Sequence, residues 1–203
     1  MLNFREALLR PFSDITKFLI GVILGIIPIA NFFVYGYFLR CGAHSMKRRS
    51  ELPDWDKWGE LFLHGIMVFI MALIYLIPLI IIIWITSGSG FLLMFKGDFN
   101  QLATAIDGLY YWVWAFAILY FYTLPAGLIL FAHSNDFAEG LKFWKAFSWH
   151  YLVAWLLAFV TCTFIFIILS IIPYFGIMGL ILAMFINPVI TMTLLGQSLE
   201  GGW

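Results

Sequence analysis

Arg40–His64, RCGAHSMKRRSELPDWDKWGELFLH, is the longest strongly polar interval of a 203-residue chain that is 64% hydrophobic and 20% aromatic. It holds five of the eleven Lys and Arg residues, Arg40, Lys47, Arg48, Arg49 and Lys57, and leads directly into a long apolar run. A basic cluster beside a membrane span marks the cytoplasmic side. The threading of everything before and after this interval is referred to it.

A transmembrane helix needs about 20 apolar residues. Runs of that length cover 61–85, 109–131, 151–170 and 174–198, with polar connections at 86–108 and 132–150 and a tight one at 171–175. None of the four contains Asp, Glu, Lys or Arg. Only 11% of the chain is charged, against about 25% in a soluble domain. The expected fold is all-α: a polytopic membrane bundle with four full transmembrane helices, making a single integral membrane domain over 1–203. The formal net charge is zero, so no attraction to nucleic acid follows.

The N-terminal part is less regular. Residues 1–14 read as an interfacial amphipathic helix, with Leu2, Phe4, Leu8, Leu9 and Phe12 set against Arg5, Glu6 and Arg10. Residues 16–40 form a broken membrane segment. It carries Pro28, which removes a helical hydrogen bond and clashes with the preceding turn. The segment is either one kinked span or two half-helices that enter the membrane and return. A single crossing leaves four basic residues on one side and seven on the other. A re-entrant hairpin gathers Arg5, Arg10, Lys17, the five of the 40–64 interval, Lys142 and Lys145 on one side, and leaves Lys96 alone on the other. Bias of that size is the positive-inside signature. The hairpin is favoured, in the cytoplasmic (inner or cell) membrane with both termini cytoplasmic. A non-helical turn at membrane depth needs protein cover, so the bundle is expected to shield Pro28–Asn31.

A weak repeat runs through the chain. Phe4-x-Glu6-x-Leu8, Phe12-Ser13 and Ile26-Ile27-Pro28 recur in order as Phe137-x-Glu139-x-Leu141, Phe147-Ser148 and Ile171-Ile172-Pro173. The second copy has ten more residues before its Ile-Pro, which would separate a helix that crosses from one that dips. The 132–150 connection reads as a second surface helix. Asp136 caps it, Glu139 is the capping-box partner, and Phe137, Leu141, Trp144 and Phe147 line one face.

Around the basic interval, Gly36-Tyr37-Phe38-Leu39-Arg40, Glu51-Leu52-Pro53-Asp54-Trp55-Asp56-Lys57-Trp58-Gly59, Leu61-Phe62 and Gly65 together resemble the signature of a family of prokaryotic, largely archaeal, membrane proteins known as domain of unknown function four thousand and thirteen. The resemblance implies a multi-span bundle and membrane residence, and brings no activity, ligand or catalytic residue with it.

Three groups of residues are candidates for function. Pro53, Asp54, Trp55, Asp56 and Trp58 either contact a partner or lipid headgroup or anchor a helix start. As an anchor, Pro53 suits a first turn, the two Asp residues suit the positive end of the helix dipole and the two Trp residues suit the interface. Lys47, Arg48 and Arg49 suit anionic headgroups, at about 1 kcal/mol per basic residue. Finally, Ala154, Ala158 and Cys162 recur at every fourth residue of the fourth span, as do Gly179, Ala183, Asn187 and Thr191 on the fifth. Lipid supplies no hydrophobic drive for helices to pair, so small residues and interhelical hydrogen bonds must hold them. The short connection makes the two spans antiparallel and sets Cys162 level with Asn187, which would bond a backbone carbonyl, Thr161 or Thr163.

No cofactor or metal is expected. Cys41-Gly-Ala-His44 lacks a second ligand pair, and His133-Ser134-Asn135-Asp136 reads as a capped turn. The functional reading is a non-enzymatic scaffold, assembly partner or accessory subunit. Its contacts are membrane lipids and a protein partner or second copy of the chain. The alternative is a transporter or channel for a neutral or lipid-like solute, using helices broken at Pro28, Pro78, Pro125 and Pro188. A third is a lipid-modifying enzyme, whose polar cluster would come from 41–64 or 132–136.

Overall fold

Apolar runs in a medium that cannot hydrogen-bond the backbone must satisfy it internally, and helices do so within one segment. The computed structural model describes residues 2–49, 51–96, 99–171 and 176–199, which contain helices and no strand. The helices are α1 (Phe4–Leu9), α2 (Ile15–Ile26), α3 (Asn31–Met46), α4 (Trp58–Lys96), α5 (Phe99–Ser134), α6 (Phe137–Gly140), α7 (Trp149–Ile171) and α8 (Gly176–Leu199), with 3-10 turns at Arg10–Phe12 and Phe143–Ala146. Four segments are long and apolar enough to cross a membrane: Trp58–Ile81, Tyr110–Ser134, Trp149–Leu169 and Gly176–Leu199. The protein is an all-α membrane bundle.

Several boundaries differ from the sequence reading. The expected loop at 86–108 is helical to Lys96 and again from Phe99. Its Thr, Ser and Gly residues each cost a helix at most about 1 kcal/mol, too little to end one. The connection at 97–98 lies outside the described residues, as do 172–175 of the expected tight turn. Pro78, Pro125 and Pro188 sit inside continuous helices, so they are not the break points expected of them.

Pro28 does break the chain. The turn it makes is not shielded: Ile26, Ile27 and Ile29 are exposed, Ile29 at 73%. The turn is partly bonded to itself. Ile27 N–H donates to Leu24 O, Asn31 N–H to Ile27 O, Phe32 N–H to Ile29 O and Phe33 N–H to Ala30 O, while Pro28 has no donor to satisfy.

At 12 residues, α2 is about 18 Å long, short of a hydrocarbon core of about 30 Å. Lys17 near its start bonds Leu52 O, in the loop after α3. The start of α2 and the end of α3 therefore share one end of the bundle, and the pair is a hairpin. Asn3 N–H, which donates to Gln197 near the end of α8, brings that terminus to the same place. The His64 ring against Phe131 adds the start of α4 and the end of α5. Lys96 is the last residue of α4, at its opposite end.

The N-terminal helix departs from the interfacial reading in its polar face. Phe4, Leu9 and Phe12 are exposed, while Ala7 and Arg10 are buried. The 132–150 connection is likewise not one helix. After α6 the Gly140 carbonyl accepts from Tyr75 Oη at 2.9 Å, so it does not carry a helix onward, and Ala146 O accepts from Tyr122 Oη at 2.8 Å. Glu139 bridges Lys142 and Lys145 instead of closing a capping box; Asp136 does cap, accepting from Ala138 N–H at 2.9 Å.

The two copies of the repeat have one local plan: a short helix, a 3-10 turn, then a helix capped by Asp14 in one copy and Ser148 in the other. The helices that follow have 12 residues in α2 and 23 in α7. Their partners α3 and α8 meet at glycines, where a Cβ on Gly196 would lie 2.6 Å from Gly42 O.

Candidate functional site

The polar residues converge where α1, α3 and α8 meet. Arg10 follows α1 in a 3-10 turn that swings its side chain inward, leaving it 2% exposed. Nη1 donates to Cys41 O at 3.2 Å, to Thr193 Oγ1 at 3.0 Å and to Ser45 Oγ, and Nη2 donates to Glu51 O at 3.0 Å. All four acceptors are neutral. Two of them, Cys41 O and Ser45 Oγ, come from the last six residues of α3, whose dipole is negative at that end and favours a cation. A buried charge is tolerable only when it is hydrogen-bonded in this way. The nearby His44 imidazole is pushed down to about 4, chiefly by its burial and then by Arg10, Arg49, Arg40 and Lys47.

The LPDWDKW loop folds back onto this end. Leu52 and Pro53 are buried, and Pro53 O accepts from Tyr37 Oη at 3.0 Å. Trp55 stacks on Tyr37, with ring centroids 4.0 Å apart and planes 4° apart, and its Nε1 donates to Lys17 O at 3.0 Å. Asp54 pairs with Lys17 at 2.8 Å, and that ammonium holds its carboxyl below the usual carboxylate range. Asp56 pairs with Arg40, which also reaches Glu60 at 3.8 Å. α4 begins only at Trp58. Pro53 is therefore not in its first turn, and Asp54 and Asp56 face Lys17 and Arg40 instead of the α4 terminus. Trp58 remains 44% exposed.

Lys47, Arg48 and Arg49 end α3 and are exposed. Arg48 takes a left-handed φ of 54° and Arg49 N–H returns to His44 O at 3.0 Å. This is the Schellman geometry that usually takes glycine, and it presents three basic side chains in succession at the bundle's end.

The third group lies elsewhere, along α7 and α8. Ala154, Ala158, Gly179 and Ala183 are buried. Asn187 Nδ2 donates to Cys162 O at 3.4 Å, and Cys162 Sγ lies 3.4 Å from Thr191 Oγ1. These residues hold the two helices together along their length. At 132–136, Ser134 Oγ bonds Leu130 O at 2.9 Å and accepts from Asp136 N–H at 3.1 Å. Among the described residues no group of three His, Cys, Asp or Glu side chains is placed to hold a metal.

Sequence reasoning missed Arg10, Lys17, Tyr37 and Arg40 as parts of one network. The available signal was the helical wheel of α1, in which Arg10 shares a face with Ala7 and is flanked by Leu9 and Phe12.

A family model described as a protein of unknown function, DUF4013, matches residues 19–174. No curated protein and no solved structure matches the chain. The match runs from within α2 through α3, the folded-back loop and α4 to α7, and the chain belongs to the DUF4013 family.

Proposed function

For this family member, we propose a non-enzymatic role in the cytoplasmic membrane, as a scaffold, assembly partner or accessory subunit with both termini in the cytoplasm. The observation that carries this reading is how the charged groups of the polar end are used. Arg10, Lys17 and Arg40 tie α1, α2, α3 and the loop to one another. Ser134 and Asp136 close a turn. These groups build a rigid end that presents Lys47, Arg48 and Arg49 outward, and a fixed basic face suits an acidic partner or anionic headgroups. Ten of the eleven basic residues belong to that end, which supports its cytoplasmic placement.

Two measurements test the reading. Single cysteines at Ser13 and Arg49, in a chain lacking Cys41 and Cys162, should both resist an impermeant maleimide in intact cells and both react after lysis. Reaction of either in intact cells overturns the orientation. Purified protein should not hydrolyse phospholipids or phosphate esters. A hydrolytic activity lost in His133→Ala, with the fold retained, overturns the non-enzymatic role.

A second reading, handling of a lipid-like solute, is favoured by one feature: an apolar cavity of about 260 Å³ between α4 and α5. Uptake of a neutral lipid-like solute by vesicles holding the protein would raise it above the first.

A further inference from the structure

The strap before α2 is amphipathic the wrong way round for a helix resting on a surface. Its cation Arg10 is buried in the bundle, and its exposed side chains include Phe4, Leu9 and Phe12. The Phe12 ring lies 5.8 Å from that of Phe18 on α2. On α2, Ile15, Leu19, Ile23 and Ile26 are exposed at the spacing of one helix face. An apolar surface therefore runs from the strap to the Pro28 turn. Because α2 belongs to the membrane segment, the medium along that surface is hydrocarbon.

A basic turn stands against the same strap. Arg10 bonds Ser45 Oγ on one side of residues 47–49 and Glu51 O on the other, and Leu2 packs on the cluster that contains Met46. The turn cannot leave the strap without breaking those contacts. Lys47 and Arg49 are exposed. Among the described residues neither forms an ion pair, nor do Arg5 and Arg10. The described carboxylates of this corner that stand outside ion pairs are Glu51 and Glu6, whose Oε2 accepts from Asn3 Nδ2 at 3.0 Å. Cations therefore outnumber anions here. The charges acting on His44, near the end of α3, agree: Arg10, Arg49, Arg40 and Lys47 are all positive.

The two surfaces together restrict the occupant. A soluble acidic protein would meet Lys47 and Arg49 but not Leu19 or Ile23, which only lipid reaches. An acidic amphiphile meets both. We propose that this corner is a site for an acidic phospholipid of the leaflet that the polar end faces, with the phosphate at Lys47 and Arg49 and an acyl chain along Leu9, Phe12 and the outward face of α2. The proposal rests on the reading of this end as a fixed basic face and names what that face holds.

The test uses the full-length protein in nanodiscs of equal parts phosphatidylcholine and phosphatidylglycerol, released for native mass spectrometry. The protein should retain phosphatidylglycerol over phosphatidylcholine by roughly thirtyfold, the scale for two basic residues at an anionic headgroup. Lys47→Gln with Arg49→Gln should bring the ratio close to one with the unfolding midpoint unchanged. Leu9→Ser with Phe12→Ser should lower retention of both lipids and leave the ratio as it was. Equal retention by the unaltered protein, or a preference that survives the loss of both cations, would overturn the site. Binding of a poly-glutamate chain at Lys47 and Arg49 with no lipid preference would also overturn it, by giving the turn to an acidic protein, and would leave the scaffold reading standing. These readouts depend on neither the orientation of the chain nor an absence of hydrolysis, so the maleimide and hydrolysis tests stand or fall separately.

Discussion

The two hairpins of this bundle, α2–α3 and α7–α8, begin with the same local plan and are secured by opposite means. α7 and α8 are held along their length by buried Ala154, Ala158, Gly179 and Ala183, with Asn187 bonded to Cys162 O. Helices that cross a bilayer have a long contact over which close packing accumulates. α2 is half as long, so the same device would yield half as much. Its hairpin is instead pinned at the polar end, by Lys17 to Leu52 O and Asp54, Trp55 to Lys17 O, and Arg10 to four acceptors. A helix that only dips is fastened at its entrance; one that crosses is fastened throughout.

The sharpest way to break this contrast is Arg10→Met. It removes the guanidinium from the buried Cys41, Ser45 and Thr193 acceptors and from the Glu51 carbonyl, and hydrogen bonds to a charged group contribute about 1.5–3 kcal/mol each. A loss of about 3 kcal/mol or more in detergent unfolding is expected, with Trp55 emission shifting as the loop leaves Tyr37. An unchanged midpoint would show that the entrance is not the fastening point. Next in size is Ala183→Leu, which overfills the α7–α8 contact at about 1–3 kcal/mol and should lower the unfolding midpoint without altering Trp55 emission. A smaller effect, roughly 0.6 kcal/mol, is expected from removing one interhelical hydrogen bond in Asn187→Leu. If Asn187→Leu cost as much as Arg10→Met, the two hairpins would not differ in kind.

A further effect is set by pH and falls at the α3 end. His44 is held at about 4 in the fold, against about 6.5 in an unfolded chain. The unfolded state therefore binds the extra proton between these values, and stability should fall as pH drops from 6.5 toward 4. His44→Asn should flatten that part of the pH profile, while Ala183→Leu should leave its slope unchanged.

The four spans were legible because an apolar run of 20 residues has few alternatives in a membrane. The hairpin at Pro28 was legible from charge, since only a return to the same side gathers Arg10, Lys17 and the 40–64 cluster. Two things were not. The end of α4 was drawn too early and the start of α5 too late, because Thr, Ser and Gly mark loops in water but are tolerated within a long helix. The network around Arg10 was hidden because its acceptors are mostly carbonyls and hydroxyls distant in sequence. A pairing of Arg10 with Asp or Glu would have stood out; a pairing with Cys41 O and Thr193 leaves no trace in residue types. In the LPDWDKW loop the residue types suggested a helix start, yet the positions of Lys17 and Arg40 decided where Asp54 and Asp56 turned.

The acceptors of Arg10 also impose an order of events. Residues 41, 45 and 51 are made soon after Arg10, but Thr193 lies 183 positions later. Chains emerge from the ribosome N-terminal end first. The guanidinium must therefore enter the membrane interface with part of its cage missing and wait for α8. Until α8 inserts, the first ten residues lack their partners Thr193 and Gln197. A chain shortened before residue 193 would keep its early spans but leave its N-terminus unlatched and open to proteases.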